Sequence, residues 1–149
     1  MSRKTRGFTL VEILIVVIIL GILAAIVIPQ FTNASNDARN NSVASTLQTL
    51  RGQIELYKIQ HGDQYPSSAA AALVNALTLK TDTTGNTTVP ATATTGFCGP
   101  YVQTFPTNPV VGNSGVTAAA TVGYGWVYTC VNNVYGVQAI DTLGAAMTY

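Results

Sequence analysis

The chain has 149 residues, with 7 Lys or Arg, 6 Asp or Glu, 1 His and 2 Cys, and a formal net charge of +1. Charged residues make up only 9%, against roughly 25% in an average soluble domain. No basic cluster lies beyond the first few residues, which argues against phosphate-driven nucleic-acid binding, and aromatic and aliphatic residues recurring to the end argue against disorder.

The apolar residues are unevenly placed. From Phe8 to Ile28, 18 of 21 residues are apolar, interrupted by Thr9, Glu12 and Gly21. A helix over this run is about 31 Å long, which matches a hydrocarbon core of about 30 Å. Arg3, Lys4 and Arg6 precede it, so the positive-inside rule puts the N-terminus in the cytoplasm and the rest outside. A secretory signal peptide, a single-pass anchor and an anchor with a working carboxylate at Glu12 all fit these residues. A carboxylate inside a membrane helix marks a functional position by default. Against the signal peptide, the run is long, and Pro29-Gln30-Phe31 makes a poor cleavage site.

The stretch from Gly7-Phe8-Thr9-Leu10-Val11-Glu12 through the apolar run to Pro29 resembles the N-terminus of type IV pilins and the related type II secretion pseudopilins. The resemblance is close over about the first 30 residues and loose beyond them. It implies a leader at 1–7, a transmembrane and filament-core helix at 8–30, and an exported head at 31–149 that includes the amphipathic half of the helix. It implies cleavage between Gly7 and Phe8 by a prepilin peptidase, N-methylation of Phe8, residence in the inner membrane, and then burial in a helical filament of identical subunits. An assembly platform and an assembly ATPase are the further partners it implies. Gly7 has no side chain, so an extended scissile backbone can approach a catalytic site closely. Glu12 lies four residues from the new amine and can pair with the Phe8 amine of a neighbour, which would make it a register device. Gly21 and Pro29 weaken the helix, and the segment between them can bend on assembly.

Val43, Leu47, Leu50, Ile54 and Tyr57 fall at spacings of four, three, four and three, one apolar stripe of a helix. The helix is therefore expected to run from Phe8 to about Gln60 and to pack on a compact head, a coiled coil being the weaker alternative. Gly62 is placed to cap its end. His61 is expected as a solvated helix end that favours the local dipole. Ser67-Ser68 is expected to cap a short helix through about Leu79, with Leu73, Val74 and Leu77 inward. Residues 81–95 hold eight Thr in fifteen and read as an exposed loop. Asn33, Asn40 and Asn86 fit the glycosylation sequon, a short match that carries little weight.

The last third reads as sheet. Gly125–Val131 and Val134–Ile140 alternate around an Asn132-Asn133 turn, with an earlier strand within Val116–Tyr124. The fold class is thus α+β: a long helix, membrane-spanning in its first half, packed on a small antiparallel sheet, as in pilins. Cys98 and Cys130 both fall on the exported side, where an oxidising compartment favours a bridge, stabilising the fold by roughly 3–4 kcal/mol. Gly99-Pro100-Tyr101-Val102 and Phe105-Pro106-Thr107-Asn108-Pro109 are similar to the head of the major type II pseudopilin. That family usually carries an acidic calcium loop, whereas beyond Asp63 this chain has only Asp82 and Asp141, few ligands for a hard cation. No nucleophile–base pair, phosphate loop or metal set is visible, so neither enzymatic activity nor a cofactor is expected. The expected function is a structural subunit of a type IV pilus-like filament. A major pseudopilin of a type II secretion system is the alternative, and a monomeric membrane-anchored binding protein the remote one.

Overall fold

The computed structural model describes residues 7–87 and 97–149. The leader before Gly7 and the 88–95 part of the Thr-rich stretch lie outside the described residues. The chain divides into two units, Met1–Ala38 and Arg39–Tyr149. Helix α1 (Leu10–Gln60) begins in the first and ends in the second.

In the first unit, the many β-branched residues of α1 have modest helix propensity in water. In an apolar medium a helix is nevertheless the conformation that pairs every backbone group within one segment. The helix runs unbroken through Gly21 and Pro29, as the expected continuous helix requires. A proline in a helix removes one internal hydrogen bond, and membrane helices tolerate such a loss. One window of α1 reaches a mean hydropathy of 3.3 and is not buried within the structure, so the helix is long and apolar enough to cross a membrane.

In the second unit, the expected stripe of Val43, Leu47, Leu50, Ile54 and Tyr57 is the buried face of α1. The helix ends in a left-handed cap. Gly62 has φ 61°, and the Asp63 N–H donates to the Lys58 carbonyl at 3.0 Å, the long bond of a Schellman turn. Helix α2 (Ala70–Thr78) buries Leu73, Ala76 and Leu77. Its N-cap is Ala69, with no side-chain cap bond, so the expected Ser67-Ser68 cap is not formed. The Ala69 carbonyl instead accepts from the Ala72 and Leu73 N–H groups.

Among the described residues five strands follow: β1 (Thr81–Asp82), β2 (Phe97–Cys98), β3 (Val116–Thr117), β4 (Trp126–Val131) and β5 (Val134–Ala139). β1 and β2 form an antiparallel pair, and the larger sheet has the order β3-β4-β5. The expected β4–β5 hairpin is present in register, with Val131 opposite Val134. Its turn residues Asn132 and Asn133 have φ 50° and 56°, the left-handed pair that a two-residue type I′ turn requires. The sheet is not wholly antiparallel, because β3 pairs parallel to β4. The start of the Thr-rich stretch is not an exposed loop either, since Thr81 is fully buried. The architecture is α+β and pilin-like, with α1, α2 and the larger sheet sharing one core that contains Trp126 and Tyr128.

Buried polar anchors tie the irregular segments to that core. Asn108 is fully buried; its amide donates to the Gly125 and Ile140 carbonyls, and its oxygen accepts from the Val110 N–H. The Trp126 indole N–H donates to Pro106, and the Tyr128 hydroxyl donates to Pro66. One loop design occurs twice, in Asp82-Thr83-Thr84-Gly85-Asn86 and in Asp141-Thr142-Leu143-Gly144-Ala145. In each, the aspartate Oδ1 accepts two backbone N–H groups, from the residues two and four further on. The glycine of each loop has φ 83°.

Candidate functional site

The candidate site is the start of α1. Gly7, Phe8 and Thr9 precede the first helical residue, Leu10. Phe8 is therefore outside the helix, and the expectation that the helix begins at Phe8 is corrected by two residues. Gly7 is exposed, and a side-chain atom built on it would touch nothing within 4 Å. The Phe8 ring is 83% exposed. Among the described residues nothing crowds the Gly7–Phe8 peptide.

Thr9 and Glu12 close a capping box. The Thr9 N–H and hydroxyl both donate to Glu12 Oε2 at 2.9 Å, and the Glu12 N–H donates to Thr9 Oγ1 at 3.3 Å. A negative charge is also favourable at this end of the helix dipole. The Glu12 carboxylate therefore has a partner within its own chain, which apolar periodicity does not reveal. The Thr-x-x-Glu spacing is the signal that does.

Around this site the apolar side chains stand open. Ile13, Leu14, Val17 and the aliphatic residues onward to Ile28 are each about half exposed. An apolar surface of this extent marks an interaction site or a lipid contact. Gly21 and Pro29 lie on α1, and no neighbour stands within 4 Å of a side-chain atom built on Gly21.

His61, Cys98, Cys130 and Asp141 belong to the second unit. His61 is buried, 3% exposed, which corrects its expected place at a solvated helix end. Its ring stacks on Tyr57 with centroids 3.7 Å apart. Nδ1 meets the Tyr57 carbonyl at 2.7 Å, and Nε2 meets the Thr81 hydroxyl at 2.8 Å. A carbonyl only accepts, so Nδ1 donates in that bond. His61 thereby pins β1 to the end of α1.

The expected Cys98–Cys130 bridge is not formed, and both thiols are free. Cys98 lies on β2, with its sulfur 3.8 Å from the Gln60 carbonyl. Cys130 lies on β4 opposite Tyr135, so the two cysteines belong to different sheets. The Asp141 carboxylate accepts hydrogen bonds from its own loop backbone, at Leu143 and Ala145.

The charged and aromatic groups of this unit show clear environmental effects. Burial pushes the phenols of Tyr57, Tyr101 and Tyr128 above their ordinary range and that of Tyr135 up to about 12. Hydrogen bonds from Thr84 and Asn86 hold the Asp82 carboxyl below the usual carboxylate range.

Residues 2–28 match the prokaryotic N-terminal methylation motif. The chain is also similar to "Type II secretion system core protein G" of three bacteria. It is 37% identical to that of Dickeya chrysanthemi over 68 residues, covering 46% of this chain and 44% of the relative. It is 38% identical to that of Klebsiella pneumoniae over 76 residues, covering 50% and 54%. It is 35% identical to that of Escherichia coli K12 over 80 residues, covering 52% and 54%. The chain spans about half the length of the curated relatives it matches. No solved structure matches it.

Proposed function

We propose that this chain is a structural subunit of a type II secretion filament, a major pseudopilin. It would be cut between Gly7 and Phe8, methylated on Phe8, held in the inner membrane by the apolar part of α1, and then assembled through that helix into a periplasmic filament. The observation that carries this reading is the similarity to secretion core proteins, which extends well beyond the 2–28 motif shared by prepilin-type chains. It favours the secretion filament over the surface pilus that the sequence alone put first.

The physical logic is the transfer of one apolar surface between two apolar surroundings. In lipid, the side chains from Phe8 to Ile28 are covered by acyl chains. In the filament they are covered by copies of the same helix, so little apolar burial is gained and specificity must come from polar groups. Glu12 is the one carboxylate in that stretch. Cleavage after Gly7 would create an amine at Phe8, close to the Thr9–Glu12 box, and a neighbour's amine pairing with Glu12 would fix the axial stagger of subunits. Gly21 and Pro29 would let the helix bend as it leaves the membrane.

Deleting the gene in its host and assaying secreted enzymes tests the reading. Periplasmic retention of exoproteins, reversed by the intact gene, is the expected result. Normal secretion combined with loss of long surface filaments would overturn it in favour of a pilus.

A further inference from the structure

The register of the β4–β5 hairpin decides which backbone groups of β5 face outward. Val131 and Val134 flank the two-residue turn and stand opposite each other, and in such a hairpin that pair exchanges both of its hydrogen bonds. Alternation then turns Gly136 and Gln138 toward β4, and turns the N–H and C=O of Tyr135, Val137 and Ala139 away from it. Two contacts agree with this count. The Ala139 carbonyl accepts from the Met147 N–H at 2.8 Å, and the Val137 carbonyl accepts from Arg51 Nη2 at 3.4 Å. The order β3-β4-β5 leaves β5 at the edge of the sheet. Among the described residues, the Tyr135 N–H and C=O and the Val137 N–H have no partner.

A groove of about 480 Å³ lies along this edge, lined by Arg51, Tyr135, Gly136, Val137 and Gln138. Arg51 is its one charged group. Its bond to Val137 lies beyond the usual length of an N–H···O bond, and a guanidinium carries five donors, so most of its capacity is unspent. Glu55, one helical turn along α1, accepts from the Tyr65 hydroxyl at 3.0 Å, and among the described residues Arg51 forms no ion pair.

These groups ask for two things at once: an extended backbone that offers N–H and C=O alternately, and a carboxylate. A small anion would meet Arg51 and leave the edge unpaired. A neutral strand would pair the edge and leave the guanidinium on a long bond. We propose that the β5 edge is a docking groove for an extended acidic peptide segment of a partner protein. The segment adds a strand beside β5. Its carboxylate takes Arg51 in a charge-assisted bond, stronger than the neutral one it replaces, and the Val137 carbonyl is released to join the new ladder. The charge match, added to the open edge, selects this partner.

Nuclear magnetic resonance of the full chain in a zwitterionic detergent tests the proposal. The probe is the peptide acetyl-Thr-Val-Glu-Val-Thr-amide, set against its Lys-for-Glu version and a fully N-methylated version with no N–H to donate. The expected result is a saturable shift of the Tyr135 and Val137 amides with the Glu peptide, slower exchange of both with water, and binding at least about tenfold weaker for the other two peptides. Arg51→Glu is expected to reverse the preference in favour of the Lys peptide by a similar factor, with the Trp126 and Tyr128 amides unmoved. No saturable shift with the Glu peptide would overturn the proposal, as would an unchanged preference in the Arg51→Glu chain. Tighter binding of all three peptides by Arg51→Gln would make Arg51 only a guard of the edge, and would overturn it too. Protection of the two amides that grows with chain concentration, without peptide, would give the edge to a second copy instead.

Discussion

Glu12 carries two demands on one carboxylate. Within its own chain it closes the capping box with Thr9; in the proposed filament it also receives a neighbour's amine. Two substitutions separate these roles. Thr9→Ala removes the cap and is expected to weaken the helix start by about 1 kcal/mol, lowering filament yield modestly. Glu12→Ala is expected to abolish filaments while leaving the chain in the membrane fraction. Equal yields from the two variants in sheared or extracted filaments would show that the cap alone matters.

Asn108 works by the same hydrogen-bond logic inside the head. Asn108→Leu leaves the Ile140 carbonyl and the Val110 N–H without their partner, and the Gly125 carbonyl with only the Ile140 N–H. The expected loss is about 2–3 kcal/mol, a fall in thermal midpoint of roughly 10 °C by calorimetry.

The titrating residues set two pH limits. Tyr57, Tyr101 and Tyr128 have raised folded pKa values, so their contribution is complete below the unfolded tyrosine value of about 10 and is lost as pH rises above it. Asp82 is depressed, so its contribution is present above the unfolded aspartate value of about 3.9 and is lost as pH falls below it. The phenolate absorbance contributed by Tyr57, Tyr101 and Tyr128 is expected to appear together with unfolding at high pH, not before it. Asp82→Asn is expected to flatten the acid limb of the stability curve.

Among the elements, the β4–β5 hairpin gives the sharpest contrast between backbone and side chain. Both turn asparagines have positive φ, which glycine also adopts. Asn133 additionally accepts from the Tyr65 N–H and donates to the Asp63 carbonyl. Asn132→Gly is therefore expected to be neutral within about 0.5 kcal/mol, and Asn133→Gly to destabilise the head by about 1–2 kcal/mol. Denaturant unfolding midpoints distinguish the two.

This hairpin, the buried stripe of α1 and the apolar anchor were legible because each is a local pattern: a turn pair, a helical period, an unbroken apolar run. The parallel placement of β3 was not, because Val116-Thr117 is two residues long and its pairing depends on the chain returning past Asn108 and Gly125. The burial of His61 was hidden for a similar reason. Its partner Thr81 lies twenty residues on, inside a stretch whose composition reads as solvent-exposed. The Cys98–Cys130 bridge was inferred from compartment alone, and the fold puts the two cysteines on separate sheets. At the N-terminus, the motif points to Gly7, Phe8 and Glu12, and the Thr9 cap that engages Glu12 is signalled only by the short Thr-x-x-Glu spacing.

At the scale of the whole molecule, the chain joins an apolar helix start that buries nothing of itself to a head with its own core. The charge follows the same division. Removing residues 1–7 would leave four basic and six acidic side chains from Phe8 to Tyr149, so the positive charge belongs to the leader and the proposed working subunit is slightly acidic. Neutral Thr, Asn and Ser on the head can face either solvent or another copy. The most direct test of the proposed assembly is electron cryo-microscopy of filaments formed when the chain is expressed with a type II assembly apparatus. The expected density begins at a methylated Phe8, places the apolar start of α1 in the filament core, and brings Glu12 to a neighbour's Phe8 amine. Filaments whose subunits retain the leader, or whose Glu12 meets no neighbouring amine, would contradict it.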